Sequence, residues 1–443
     1  MSFHLIRLVP SIAAMLVVAL LALPAQATSL LRDADMEHAL KQISAPILRA
    51  AGLNPNRVKI LVVNEATLNA FVVSNDAIFV HYGLINKMQT ATMLQGIIAH
   101  EAAHIANGHI ARRLGNLSNA RTISGLGIAL AAAAAAAGNS RAAGGIALGT
   151  STSAQRAFLS HTRAEEASAD QSGVRYMKAA GASPQGLFDA LSIFAGQETL
   201  SAGRQDPYMR SHPLSRDRMR AVAGYVASYG TLPKDETAEY WFARLKGKIT
   251  AYTRAPSWTL RRLNKEPYPD VRLLREAVAL HRNSKTKKAL AAIDSAIAAR
   301  PYDAFLRDQK GQIQLETRNF AAAANTYASA VKYAPNDPLV LSGYGRALLA
   351  AGQVKKSLGV LEKSRRQDYR DGSMLRDLAT AYAKTGQQGM AALITAERFA
   401  LGGRLKDAGI HARRASGLLS QGSGPWQRAQ DVLIASQRAA KRK

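Results

Sequence analysis

The stretch Gly96 to His109, GIIAHEAAHIANGH, holds two histidines and a glutamate at a spacing that suits a zinc hydrolase. His100 and His104 are four residues apart, so on an α-helix they stand one above the other and two imidazoles can reach one metal ion. Glu101 lies on the same turn. It is placed to take a proton from a water whose pKa the metal has lowered to roughly 7, and to hand it to a leaving amine. The chain has no cysteine, commonly the fourth ligand that closes a structural zinc site, so an open catalytic site is the better match.

A further ligand is expected from HTRAEEASADQSG, downstream. Glu166 and Asp170 are again four apart on a predicted helix, and both can face the histidine helix. Glu166 would complete a His2Glu set with one position open for water, and Asp170 would accept a hydrogen bond from a ligand histidine and fix its tautomer. Glu165 competes for the ligand role but points about 100° away, and only Glu166 has a carboxylate one turn later. His109, five residues past His104, is expected to point away from the metal and to be structural.

The elements that must position these groups are legible in part. Met93, Ile97, His100 and His104 follow a helical period, so the histidines continue a buried face. A helix is expected over Arg32 to Ala51, stopped by Gly52 and Pro55 with a possible kink at Pro46, and packed over the catalytic layer. Val58 to Val63 is a strand, and Ala70 to Val80 divides at Asn75-Asp76, a pair suited to a hairpin turn. If that hairpin has a free edge near the metal, a polypeptide could add to it as a further strand; an ordinary sheet edge is the other reading. Residues 115–160 are rich in Gly, Ala, Ser and Thr. Asn139 to Arg141 interrupt the apolar run before it is long enough to span a bilayer, which favours a lid over a membrane hairpin.

Length and charge set the frame. The 443 residues, 47% of them hydrophobic, predict two or three globular domains. Residues 1–27 have the pattern of a secretory signal: Arg7, an apolar core from Ile12 to Leu23, and Ala25-Gln26-Ala27 for cleavage. A formal charge of +27 without any nucleic-acid motif, on an exported chain, points to anionic envelope surfaces or acidic protein segments and not to nucleic acid. From residue 270 a period of 34 emerges: Pro301 and Pro335, Ala289 and Ala323, Gly311 and Gly345, then Gly352 and Gly386. That period predicts tetratricopeptide helix pairs framed 270–303, 304–337, 338–371 and 372–405, with a terminal helical region to Lys443. Asp235 to Pro269 shows no clear periodicity and reads as a linker region with one or two helices.

HEAAH followed by EASAD resembles the M48 zinc peptidases, whose pattern is HExxH then ExxxD. NAFVVSNDAIFVHYGLI is similar to that family's substrate-side strand, implying substrate contact or a structural role for Asn69 and Phe71, and SHPLSRDR is similar to its downstream motif. The resemblance is nearest to the periplasmic branch that joins an exported M48 domain to C-terminal tetratricopeptide repeats. It implies that His212 occupies the open metal position as a regulatory or fourth ligand, and that Arg218 ties this segment down or meets substrate. The expected architecture is an α+β zincin-like peptidase domain over 28–250, a linker over 251–269 and an all-α solenoid over 270–443. The expected function is an endopeptidase with one Zn2+ per chain, cutting misfolded or stalled envelope proteins in the periplasm. The solenoid would dock outer-membrane assembly machinery, with chaperone activity or mere scaffolding as the alternative.

Overall fold

The computed structural model describes residues 29–110, 112, 163–201, 204–230 and 232–440. The expected signal segment and the Gly/Ala-rich insert lie outside the described residues. The first part of the chain is a small sheet covered by helices. Strand β1 (Leu30–Leu31) leads into α1 (Ala34–Ala50), where Asp33 caps the helix by accepting the Met36 N–H at 2.9 Å. The helix runs unbroken past Pro46, and Gly52 takes a left-handed φ of +72° just beyond its end. Strands β2 (Lys59–Val63), β3 (Ala70–Ser74) and β4 (Ala77–His81) complete a sheet of order β1-β2-β4-β3. β3 and β4 form the hairpin expected around Asn75-Asp76, and β3 is an edge strand with Val73 61% exposed. A short α2 (Tyr82–Lys87) then feeds α3 (Ala91–Ala106), the histidine helix.

Helix α3 is buried on every side and not on one face only: Leu94, Ile97, Ile98 and Ala102 are all inaccessible. It lies against α1, α4 (Arg163–Ala179) and α5 (Gln185–Ser192). Glycines stand at both of the main crossings, and the first of them requires one. A Cβ on Gly96 would lie 2.6 Å from the Leu187 Cα, and one on Gly173 would lie 3.3 Å from the His100 nitrogen. The second approach sets the carboxylates of α4 against the histidines. Helices α6 (Pro207–Ser211) and α7 (Arg216–Tyr229) close the far side.

Next comes α8 (Glu236–Thr253), in the region expected to be a linker. Its Phe242, Leu245 and Ile249 belong to the peptidase core, while Ala251 packs into the core of the first repeat. Its Arg244 and Lys248 are also buried, held by Asp35 and Asp303 at 2.7 and 2.6 Å and by Asp33 at 2.8 Å.

After α9 (Pro256–Leu260) the remaining helices pair: α10 (Pro269–Arg282) with α11 (Thr286–Ala299), α12 (Ala304–Glu316) with α13 (Phe320–Tyr333), and α14 (Pro338–Ala350) with α15 (Val354–Gln367). They continue with α16 (Gly372–Lys384) and α17 (Gln388–Leu401), then α18 (Leu405–Leu418) and α19 (Gly424–Ala440). The terminal region is thus a further pair. The 34-residue period has a second signature in the caps, since Asp303, Asp337 and Asp371 each accept backbone N–H groups at the start of a pair. Ser284, Arg318, Gly352 and Gly386 take the left-handed turn within each pair, with φ of 56°, 61°, 79° and 80°. The array folds back on the first part of the chain. Asp368 binds Arg32 at 2.8 Å and Lys59 at 2.7 Å, and Arg370 binds Asp76 at the hairpin tip at 2.9 Å. Among the described residues no helix is long and apolar enough to cross a membrane.

Candidate active site

His100 and His104 project from the last turns of α3, Glu166 from the first turn of α4, and His212 from the end of α6. Each offers a ligand atom, and these atoms lie within 4.8 Å of one another, all on buried residues. The Nε2 atoms of the two helix histidines are 3.1 Å apart, Glu166 stands 3.5 Å from His100 and 3.4 Å from His104, and the Nδ1 of His212 is 3.0 Å from Glu166. A divalent ion fits such a donor set of imidazoles and a carboxylate. Glu165 faces away, 3.3 Å from Arg112.

Glu101 is fully buried beside this cluster. Neither of its carboxylate oxygens has a hydrogen-bond partner among the described residues; His212 Nε2 is 3.5 Å from one of them. A buried carboxylate left in this condition is costly unless a positive centre is nearby. The histidines divide the same way. Burial keeps His104 neutral, well below its ordinary range, which is the form that binds a metal. At His100 burial acts in the same direction, but Asp170 and Glu166 outweigh it and carry the ring up to about 10. Positive charge is favoured at that corner.

Asp170 lies 2.9 Å from the Nδ1 of His100, on the side away from the cluster. Arg218 grips Asp170 with two hydrogen bonds of 2.8 and 2.9 Å, donates to the Pro213 carbonyl at 2.8 Å and stands 2.9 Å from Glu166. One guanidinium therefore fixes both carboxylates of α4 and the backbone that follows His212. Burial pushes Glu166 up, but His212 and the two helix histidines hold it well below the usual carboxylate range. Asn69 and Phe71 lie at the start of β3, outside the cluster. The Asn69 carbonyl accepts the His81 N–H at 2.9 Å, and the Phe71 ring stacks on Phe79 at 5.2 Å.

Two contacts of the cluster escaped the sequence reading. His109 is not one of the clustered ligands, but it is buried and reaches His104 from the other side, with its Nδ1 2.8 Å from the Nδ1 of His104. The chain turns at Gly108, φ +71°, which brings the ring back to the histidine helix. Tyr208 is also buried and stacks on His212 at 4.6 Å, one helical turn before it, while its N–H donates to the Leu68 carbonyl beside β3. The spacing of four to His212 was the available signal for it.

Residues 34–226 match the family described as Peptidase family M48, and residues 314–387 match a tetratricopeptide repeat model. The Beta-barrel assembly-enhancing protease of Yersinia pestis is 23% identical over 367 residues, 82% of this chain and 74% of that protein. Its counterpart from Escherichia coli (strain K12) is 22% identical, covering 82% and 75%. Among solved structures, MamA 41-end from Desulfovibrio magneticus RS-1 overlaps 36% of this chain and 92% of its own, at 18% identity and a TM-score of 0.32. The repeat protein YrrB overlaps 39% and 91%, at 14% identity and a TM-score of 0.32. Residues 34–226 are thus an M48 metallopeptidase domain, and tetratricopeptide repeats follow it toward the C-terminus.

Proposed function

We propose that the protein is an exported zinc endopeptidase that cuts misfolded or stalled envelope proteins, residues 28–250 forming the catalytic unit and 270–443 the docking unit. The observation that carries this is the burial of the Glu101 carboxylate, which has no hydrogen-bond partner among the described residues, beside a His–His–Glu–His cluster. His100, His104 and Glu166 would hold the zinc. When bound, zinc polarises a carbonyl and lowers the pKa of water. Glu101 then receives the water's proton and delivers it to the departing amine. Asp170 orients His100, and Arg218 keeps Glu166 and Asp170 in register while tethering the His212 segment. The edge of β3, with Asn69 just before it and Phe71 in it, would receive substrate as an added strand, with little preference for sequence.

His212 lies inside the cluster, which supports its role as a fourth ligand that withholds the open position until it moves. The same placement favours the second reading, a chaperone or scaffold in envelope assembly with little basal proteolysis. Similarity to proteases named for β-barrel assembly supports work at the outer membrane, in the periplasm, after cleavage near Ala27. The repeats would engage the assembly machinery, and the positive charge would favour an anionic membrane surface. The test is zinc content and casein cleavage of purified wild type, Glu101→Gln and His212→Ala. Glu101→Gln should keep one zinc and lose cleavage, and His212→Ala should cleave faster. Full activity in Glu101→Gln would end the mechanism, whereas slower cleavage by His212→Ala would make that histidine a transition-state ligand instead of a gate.

A further inference from the structure

A groove of about 550 Å³ lies between α16, α17 and α18. Arg376 and Lys384 reach it from α16, Arg398 from α17, and His411 and Arg414 from α18. No carboxylate lines it, in contrast to the cleft between α1 and the repeat turns, which holds Asp303 and Asp337. Arg376 lies 3.1 Å from Asp377, but Arg346 already holds that carboxylate at 2.6 Å. Among the described residues, Lys384, Arg398 and Arg414 have no carboxylate within salt-bridge distance. His411 registers the resulting field. It stacks on Phe399 at 5.2 Å; burial lowers its pKa, Arg414 and Arg398 lower it further, and Asp407 opposes them only in part.

The floor has a different character. Ala379, Ala383 and Ala391 present only methyl groups, so a backbone can come close, and Gln388 and Thr395 add polar side chains at the wall. A trough of small residues, rimmed by Lys384, Arg398 and Arg414 that no described carboxylate neutralises, suits a single extended chain that carries carboxylates. We propose that this groove docks an acidic, extended peptide segment of a partner protein, a surface distinct from the peptidase cleft; this rests on the reading that the array docks proteins.

The experiment uses the full chain and a short fluorescein-labelled peptide rich in Asp and Glu, with its Asn/Gln counterpart as control. The acidic peptide should bind more tightly than the control, weaken as salt is raised, and lose affinity on the order of tenfold in Arg398→Glu/Arg414→Glu. On binding, the pKa of His411 in wild type should rise, read by NMR of the labelled imidazole. Casein cleavage by the double variant should be unchanged. Equal binding of both peptides, an unmoved His411, or full affinity in the double variant overturns the groove while leaving the peptidase reading intact. Binding of phosphatidylglycerol vesicles through these arginines, without peptide binding, would overturn it in favour of a lipid surface. Should the double variant misfold, Arg414→Gln and the wild-type His411 titration still decide.

Discussion

The Nδ1 of His109 stands 2.8 Å from the Nδ1 of His104, so the second helix histidine is held from behind by a third. Burial lowers the His109 pKa, which keeps that ring neutral and able to accept. A histidine that binds metal through one nitrogen normally donates from the other, and losing the acceptor typically lowers metal affinity about 10- to 100-fold. His109→Ala should show that loss in a chelator competition for zinc, with the fold retained by circular dichroism. Unchanged zinc affinity would make His109 a packing residue only.

Arg218 offers a sharper energetic contrast. Its guanidinium is buried with Asp170 and Glu166, and removing one partner of a buried ion pair commonly costs about 3–5 kcal/mol. Arg218→Ala should therefore unfold at clearly lower denaturant. Arg218→Lys keeps the charge but not the fork, and should recover only part of the loss. A fully stable Arg218→Lys would mean that charge alone holds the segment.

Tyr208 should behave in the opposite way. Its buried hydroxyl has no hydrogen-bond partner among the described residues, and burial together with Glu101 raises its pKa well above the ordinary value. Deleting an unpaired buried polar group is nearly neutral or stabilising. Tyr208→Phe should match or exceed wild-type stability by thermal melting. A fall in kcat with KM unchanged would then show that the hydroxyl meets the reacting centre.

A pH effect is expected where the array meets α1. His38 packs 4.3 Å from Phe305 and 4.9 Å from Trp241. Burial first, and then Arg244, lower its pKa from 6.5 to about 4, with Asp303 opposing and Lys41 adding. The unfolded chain therefore holds a proton that the folded one refuses between those values. The associated stability is complete above about 6.5 and is lost as pH falls towards 4. Urea midpoints measured across that range should decline in wild type and flatten in His38→Gln. Parallel declines would place the titration elsewhere.

Local spacing carried most of the site. His100 to His104 and Glu166 to Asp170 are one helical turn apart, the Asn75-Asp76 turn is contiguous in sequence, and the repeats recur every 34 residues. What escaped depends on where distant elements meet. His109 reaches His104 only because Gly108 turns the chain, and nothing in a run of residues reports that rotation. Helix α8 was obscured for a different reason: Arg244 and Lys248 stand where a core helix would show apolar residues. They are buried because Asp33, Asp35 and Asp303 arrive from far along the chain to neutralise them.

Helix α8 serves both cores at once, and that turns the molecule into something like a caliper. A catalytic head on a floppy tether would sample any chain within reach, its local concentration set by tether length. Here one continuous helix, with Ile249 packed on one side and Ala251 on the other, fixes the span between the repeats and the metal cluster. On the proposed function, a client gripped along the array would be cut only where its own length brings a bond to Glu101. Selectivity would then become a matter of distance along the client, and a folded client that cannot supply that length would be spared.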